Sequence, residues 1–127
     1  MKLICIGDSL TFGYGVHLSQ RWTRLCAQET GWELVNEGIN GDTTGGMLTR
    51  MQGGVLAELR EGGLGADRPY VLLMGGSNDV FYSGSDAAAR GNMGAMIHQL
   101  FSVGVLPMVG IPLPADAPHA PRAWAAA

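Results

Sequence analysis

The sequence predicts an α/β fold, a mainly parallel sheet covered by helices on both faces. Three observations carry that prediction. Short apolar runs, among them Leu3-Ile4-Cys5-Ile6, Tyr70-Val71-Leu72-Leu73-Met74 and Val105 to Ile111, alternate with segments whose apolar residues recur at helical spacing. The first three strands each give way to a polar, Gly-rich turn, which accounts for many of the 20 glycines. A length of 127 residues at 46% hydrophobic suits one domain with a real core. Strand–helix alternation then implies right-handed crossovers between parallel strands.

Taken in order, Leu3 to Ile6 forms the first strand and runs directly into Gly7-Asp8-Ser9-Leu10. Ser19 or Gln20 opens a helix through about Thr30, with Trp22, Leu25 and Cys26 on one face and Gly31 as its stop. Glu33-Leu34-Val35 is the second strand, and Asn36 to Thr43 follows as its turn. Thr43 or Thr44 caps a helical stretch in which Leu48, Met51, Val55 and Leu59 recur at helical spacing, weakened or kinked at Gly53-Gly54. Gly62 to Asp67 reads as a loop, and Tyr70 to Met74 as the third strand. Asp86 caps the clearest helix, whose stripe of Ala89, Met93, Met96, Ile97, Leu100 and Phe101 ends at Gly104. Those methionines read as core. Val105 to Ile111 is the fourth strand, with Pro107 marking its beginning or a sheet edge.

Composition narrows the function classes. A formal net charge of −3, with eight Lys and Arg residues forming no run, argues against a nucleic-acid partner. No stretch reaches the roughly 20 apolar residues of a membrane span. Met1-Lys2 runs straight into the first strand and leaves no room for a signal peptide, so the chain as written reads as cytoplasmic, with export implied if a leader has been removed. Cys5 and Cys26 read as small buried hydrophobes, and nothing supports a disulfide between them. Asp8, Asp42 and Asp79 fall on separate strand-end loops without Cys or His nearby. They read as carboxylates bracing those loops rather than as a metal centre, and no cofactor is expected. Asp8 and Asp79 in particular are expected to accept from neighbouring backbone N–H groups.

In open α/β sheets ligands collect outside the carboxyl ends of the strands, which makes Ser9 a nucleophile candidate by position. Turn chemistry would also account for Gly-Asp-Ser taken alone. Two further strand-end segments, Gly41-Asp42-Thr43 and Gly76-Ser77-Asn78-Asp79, give the serine a context. In order and spacing the three segments resemble the first three sequence blocks of the SGNH hydrolases, also called GDSL esterases and lipases. The likeness covers roughly residues 2 to 114. Within that family the chain looks most like the bacterial thioesterase I, lysophospholipase and arylesterase group.

The resemblance implies a flavodoxin-like three-layer sandwich, the SGNH hydrolase fold, and hydrolysis of acyl esters or thioesters. It implies that Ser9 is the nucleophile and, through its backbone N–H, one oxyanion donor. Gly41 matches the second donor through its N–H, and Asn78 the third through its carboxamide. The chemistry fits, because acyl transfer develops charge on the former carbonyl oxygen and each preorganised donor there is worth about 3–4 kcal/mol.

The family's fourth block, an Asp-x-x-His pair that supplies the base and its orienting carboxylate, has no match in its usual place. Asp116-Ala117-Pro118-His119 has the spacing but follows the fourth strand directly. The expectation is a single domain over residues 1–127, incomplete at its C-terminus. Three accounts of the base stand: an absent one, His119 with Asp116 as a relocated pair, or one supplied by a partner chain. Reach is no obstacle to His119, but a Pro-flanked tail offers few partners to hold it. His17 and His98 read as surface or partly packed residues.

Two readings from other classes compete. A flavodoxin-like phosphate cradle would use Ser9, Thr11 and Gly13, but leaves Gly41 and Asn78-Asp79 unexplained. A non-catalytic SGNH-like scaffold would bind acyl or glycan ligands. The segments Thr11 to Val16 and Val80-Phe81-Tyr82 are expected to flank the pocket, where their aromatics suit an acyl chain or an aryl ester, or else simply pack. The substrate is thus a small-molecule or lipid-like ester of unspecified kind. A sheet missing terminal elements leaves an apolar flank, so a homo-oligomer is expected.

Overall fold

The computed structural model describes residues 1–61 and 68–112. Its sheet has four strands, β1 (Lys2–Gly7), β2 (Glu33–Gly38), β3 (Tyr70–Met74) and β4 (Pro107–Val109), in the order β2-β1-β3-β4. Every pairing is parallel. Among the described residues six α-helices accompany the strands: α1 (Ser9–Phe12), α2 (Trp22–Thr30), α3 (Thr44–Arg50), α4 (Leu56–Glu61), α5 (Ser77–Ser83) and α6 (Ala87–Ser102). The alternation read from the sequence is therefore the observed architecture.

Period-2 side-chain alternation divides the two faces of the sheet. Ile4, Ile6, Val71 and Leu73 join Met47, Met51, Leu56, Leu59, Met96, Leu100 and Val105 in one buried cluster beneath α3, α4 and α6. Leu3 and Cys5 are buried on the opposite side, where α2 lies against β2. Burial drives the Cys5 thiol up to about 11, with the nearby Cys26 adding to the effect. Both cysteines are free thiols, and Cys26 is only half-buried.

Several local expectations need correction. Leu25 and Phe101 are 46% and 55% exposed, so the buried faces of their helices run through Thr23 and through Ala89, Met96 and Leu100. A 3₁₀ turn over Leu18–Gln20 precedes α2, and extended backbone at Arg21 separates the two. The Asp86 side chain makes no capping bond; the Ser85 hydroxyl instead accepts from Ala87 N–H at 3.2 Å. Gly53-Gly54, where a weakening or kink is expected, sits in a π-helical segment, Met51–Val55, that joins α3 to α4. Asn36 to Gly38 extends β2 rather than forming the turn, while β4 is only three residues long and lies at the edge Pro107 suggested. The loop expected over Gly62 to Asp67 lies outside the described residues.

Strand register is what positions the site. Gly7, the last residue of β1, lies opposite Gly38 on one side and Met74 on the other. All three segments singled out in the sequence therefore leave the sheet at one level. The chain order places β2 and β3 on opposite sides of β1, so this level is also the topological switch point where crevices form. At Gly38 a Cβ would collide with the backbone of Phe12 and Asp8, so the absence of a side chain lets α1 sit directly on the strand ends.

Candidate active site

Ser9 is the first residue of α1, half-buried, two residues beyond the end of β1. The helix is one turn long and survives by external bracing. Asp8 caps it by accepting from Leu10 N–H at 2.9 Å. Its C-terminal carbonyls are taken by side chains: Trp22 Nε1 donates to Leu10 and Thr11, and Asn36 Nδ2 donates to Thr11 O at 2.8 Å. As the first helical residue, Ser9 has an N–H with no acceptor inside the helix. No described side chain hydrogen-bonds to its hydroxyl.

Gly41 lies in the turn closed by Asp42 N–H to Ile39 O, with φ of +76°. That left-handed backbone strains other residue types, and the direction a Cβ would take leads toward the Tyr82 hydroxyl, 3.6 Å away. Asn78 sits in the first turn of α5, so the Gly-rich turn after β3 passes directly into a helix that carries Val80-Phe81-Tyr82. Its Nδ2 donates to Asp42 O at 2.8 Å, which ties the third segment to the second. A carboxamide has two N–H donors, and this bond uses one of them.

The three aspartates brace these elements, as the sequence suggests. Asp79 is 6% exposed and accepts from both Thr44 N–H, at 2.8 Å, and Thr44 Oγ1, at 2.6 Å. Asn92 Nδ2, from α6, donates to the same Thr44 hydroxyl at 3.1 Å. Asp42 accepts from Thr43 N–H and pairs with Arg50. Sequence reading missed the parts played by Arg50, Thr44, Asn92, Trp22 and Asn36, because no local spacing links residues brought together across the sheet. Among the described residues no cluster of His, Cys, Asp and Glu could hold a metal ion.

Asp8 is 1% exposed, and burial raises its carboxyl above the usual range against the pull of the backbone bonds. The charges of Asp42 and Asp79 push the same way. A folded pKa above the unfolded one means that ionisation costs stability, a cost absent at low pH and complete above the folded value. Asp8→Asn keeps an acceptor for Leu10 N–H and deletes the charge. The melting temperature of Asp8→Asn relative to wild type is therefore expected to rise as pH increases from about 3 to 7. A gap that stays constant or narrows over that range would contradict the burial effect.

Of the histidines, His17 and His98 are both exposed. The His17 ring is engaged by Ser19, through its N–H at 3.2 Å and its hydroxyl at 2.8 Å. Asp116 and His119 lie outside the described residues. A cavity of about 420 Å³ opens beside this edge of the sheet, between Gly75-Gly76-Ser77 and Val80 on one side, Ala89, Arg90 and Met93 of α6 on another, and Val109 to Pro112.

Residues 5–127 match the GDSL-like Lipase/Acylhydrolase family. The chain belongs to that family. Esterase TesA of Pseudomonas aeruginosa is 28% identical over 127 aligned residues, covering 94% of this chain and 58% of that protein. The structure of a G-D-S-L family protein from Desulfitobacterium hafniense superposes with a TM-score of 0.80 at 25% identity, over 97% of this chain and 65% of the other. The crystal structure of TesA gives 0.76 at 27% identity, over 98% and 68%. This GDSL chain thus spans little more than half the length of the esterase it matches in sequence, and shares the α/β sheet of its structural relatives. Among the described residues no helix is long and apolar enough to cross a membrane.

Proposed function

We propose that this GDSL-family chain is a serine ester hydrolase acting on acyl ester or thioester substrates. Ser9 is the nucleophile, and the oxyanion is held by the N–H groups of Ser9 and Gly41 and by the Asn78 carboxamide. The observation that carries this reading is the convergence of all three segments at one register level, with Asn78 bonded to the residue after Gly41. In that frame the substrate carbonyl lies over Ser9; the hydroxyl oxygen attacks the carbonyl carbon as its proton passes to a base, the C=O π bond opens, and the charge on that oxygen is met by neutral donors. Collapse expels the alcohol or thiol, which takes up the proton, and water releases the acyl group from Ser9 by the same steps. The cavity beside Ser77 and Val80, with apolar walls from Ala89, Met93, Val109 and Ile111 and the charged Asp86 and Arg90 among its lining, offers room for one arm of a small-molecule or lipid-like ester.

A hydroxyl is a weak nucleophile without a base, and general-base assistance is worth roughly 10²–10⁴ in rate. The described histidines are exposed and neither hydrogen-bonds to Ser9, which favours a second reading in which the site binds esters but turns them over slowly. Asp116 and His119 are the candidate base pair in this chain, and a second subunit is the other source. Phosphonate labelling followed by peptide mass spectrometry tests the nucleophile: Ser9 is expected to carry the adduct and Ser9→Ala to abolish it. Modification at Ser77 or Ser83 with Ser9 untouched would overturn the assignment. Hydrolysis of short-chain p-nitrophenyl esters is expected to be slow, Ser9-dependent and little changed in His119→Ala. Brisk turnover that collapses in that variant would instead make Asp116 and His119 the working base pair.

A further inference from the structure

We propose that Arg50 is a positioning residue that sets the geometry of the oxyanion donors, an inference that rests on the esterase reading above. Its guanidinium contacts the ends of two strands and the donor loop together. Nη2 donates to Gly7 O at 3.1 Å, at the end of β1 where the chain turns to Ser9. Nη1 donates to Glu37 O at 2.7 Å, next to the end of β2. Nε and Nη2 grip Asp42 Oδ2 in a fork at 3.0 and 2.8 Å. The pair is largely shielded from water, with side-chain exposures of 25% for Arg50 and 15% for Asp42.

Asp42 passes the constraint on. Its backbone carbonyl receives the Asn78 carboxamide, and the residue before it is Gly41. One cation thereby bears on the strand end leading to the nucleophile and, through Asp42, on the residue next to Gly41 and on the anchor of the Asn78 donor. A second observation shows that the fold makes room for this pair. At Gly46, in the first turn of α3, a Cβ would overlap the Asp42 carboxylate, so a side chain there would displace it. Planar, forked donors are what this arrangement needs, and a lysine ammonium cannot reach the same acceptors in the same geometry.

Arg50→Met, Arg50→Lys and Gly46→Ala supply the test, read in two ways. In ¹⁵N NMR spectra of the uniformly labelled protein, Arg50→Met is expected to shift and broaden the Gly41 amide and the Asn78 carboxamide, while amides of α6 such as Leu100 stay in place. In the kinetics of Ser9 phosphonylation, the maximal labelling rate is expected to fall about 10- to 100-fold with the half-saturating reagent concentration unchanged, as for a donor misplaced by an ångström or so. Arg50→Lys should restore part of the rate, and Gly46→Ala, which suits a helix better than glycine, should reproduce the loss. A purely structural role would lower the melting temperature without that split between rate and half-saturation. Unchanged Gly41 and Asn78 signals in folded Arg50→Met or Gly46→Ala would overturn the proposal. Absence of Ser9 labelling in wild type would instead count against the esterase reading, and the NMR comparison would still decide the role of Arg50. If Arg50→Met fails to fold, Arg50→Lys and Gly46→Ala carry the comparison.

Discussion

Asp79→Ala is expected to cost about 3 kcal/mol of folding stability, the largest effect foreseen for a single polar side chain in this protein. The carboxylate is buried and accepts two hydrogen bonds from one residue, Thr44 N–H and Thr44 Oγ1. Bonds to a charged group contribute roughly 1.5–3 kcal/mol each, and alanine leaves both donors in a space too closed for easy solvation. Thr44 is itself fully buried and also receives Asn92, so the loss spreads to the packing of α3, α5 and α6. Thr44→Val, which removes only the hydroxyl, should cost about half as much. Urea unfolding of wild type, the two single variants and the double variant would measure the coupling. Single-variant costs that simply add in the double variant would show that the pair does not act as one unit.

Asn78→Ala is expected to lower kcat about 10²–10³-fold on ester substrates with little change in KM, and to leave the fold intact. On the proposed reading one N–H of the carboxamide anchors on Asp42 O and leaves the other for the oxyanion. An interaction realised mainly in the transition state affects kcat rather than substrate binding. Asn78 is half-buried and makes one bond across the site, so a structural cost of about 1 kcal/mol accompanies the change. An unchanged kcat would remove Asn78 from the oxyanion hole. A rise in KM alone would mean that it binds the substrate carbonyl in its ground state.

Elements were legible where local physics decides them. Leu3 to Ile6 and Tyr70 to Met74 are apolar runs too short for helices and bounded by Gly-rich turns, and both are central strands. Helix stripes were less secure at their margins. Leu25 and Phe101 fit the helical period yet face water, because the period fixes an angular face while burial depends on what lies opposite. Ser77 to Tyr82 follows a Gly-Gly pair and clusters its apolar residues at Val80, Phe81 and Tyr82 without helical spacing, and its helix is stabilised by Asp79 and Asn78 bonding to another element.

The sequence by itself determined the strand–helix alternation, the placement of Ser9, Gly41 and Asn78 at strand ends, and the family to which the chain belongs. Those properties follow from short-range periodicity and from residue types that turns demand. Only the tertiary structure decided that Gly7 lies level with Gly38 and Met74, that Asn78 bonds to Asp42, and that Arg50 joins two strand ends to the donor loop. The physical reason is that these contacts pair residues many positions apart, through strand register and through a long side chain reaching back from the end of α3. Nothing in the local spacing of Arg50 separates a half-buried fork from a solvated cation, and only the acceptors assembled around it do so.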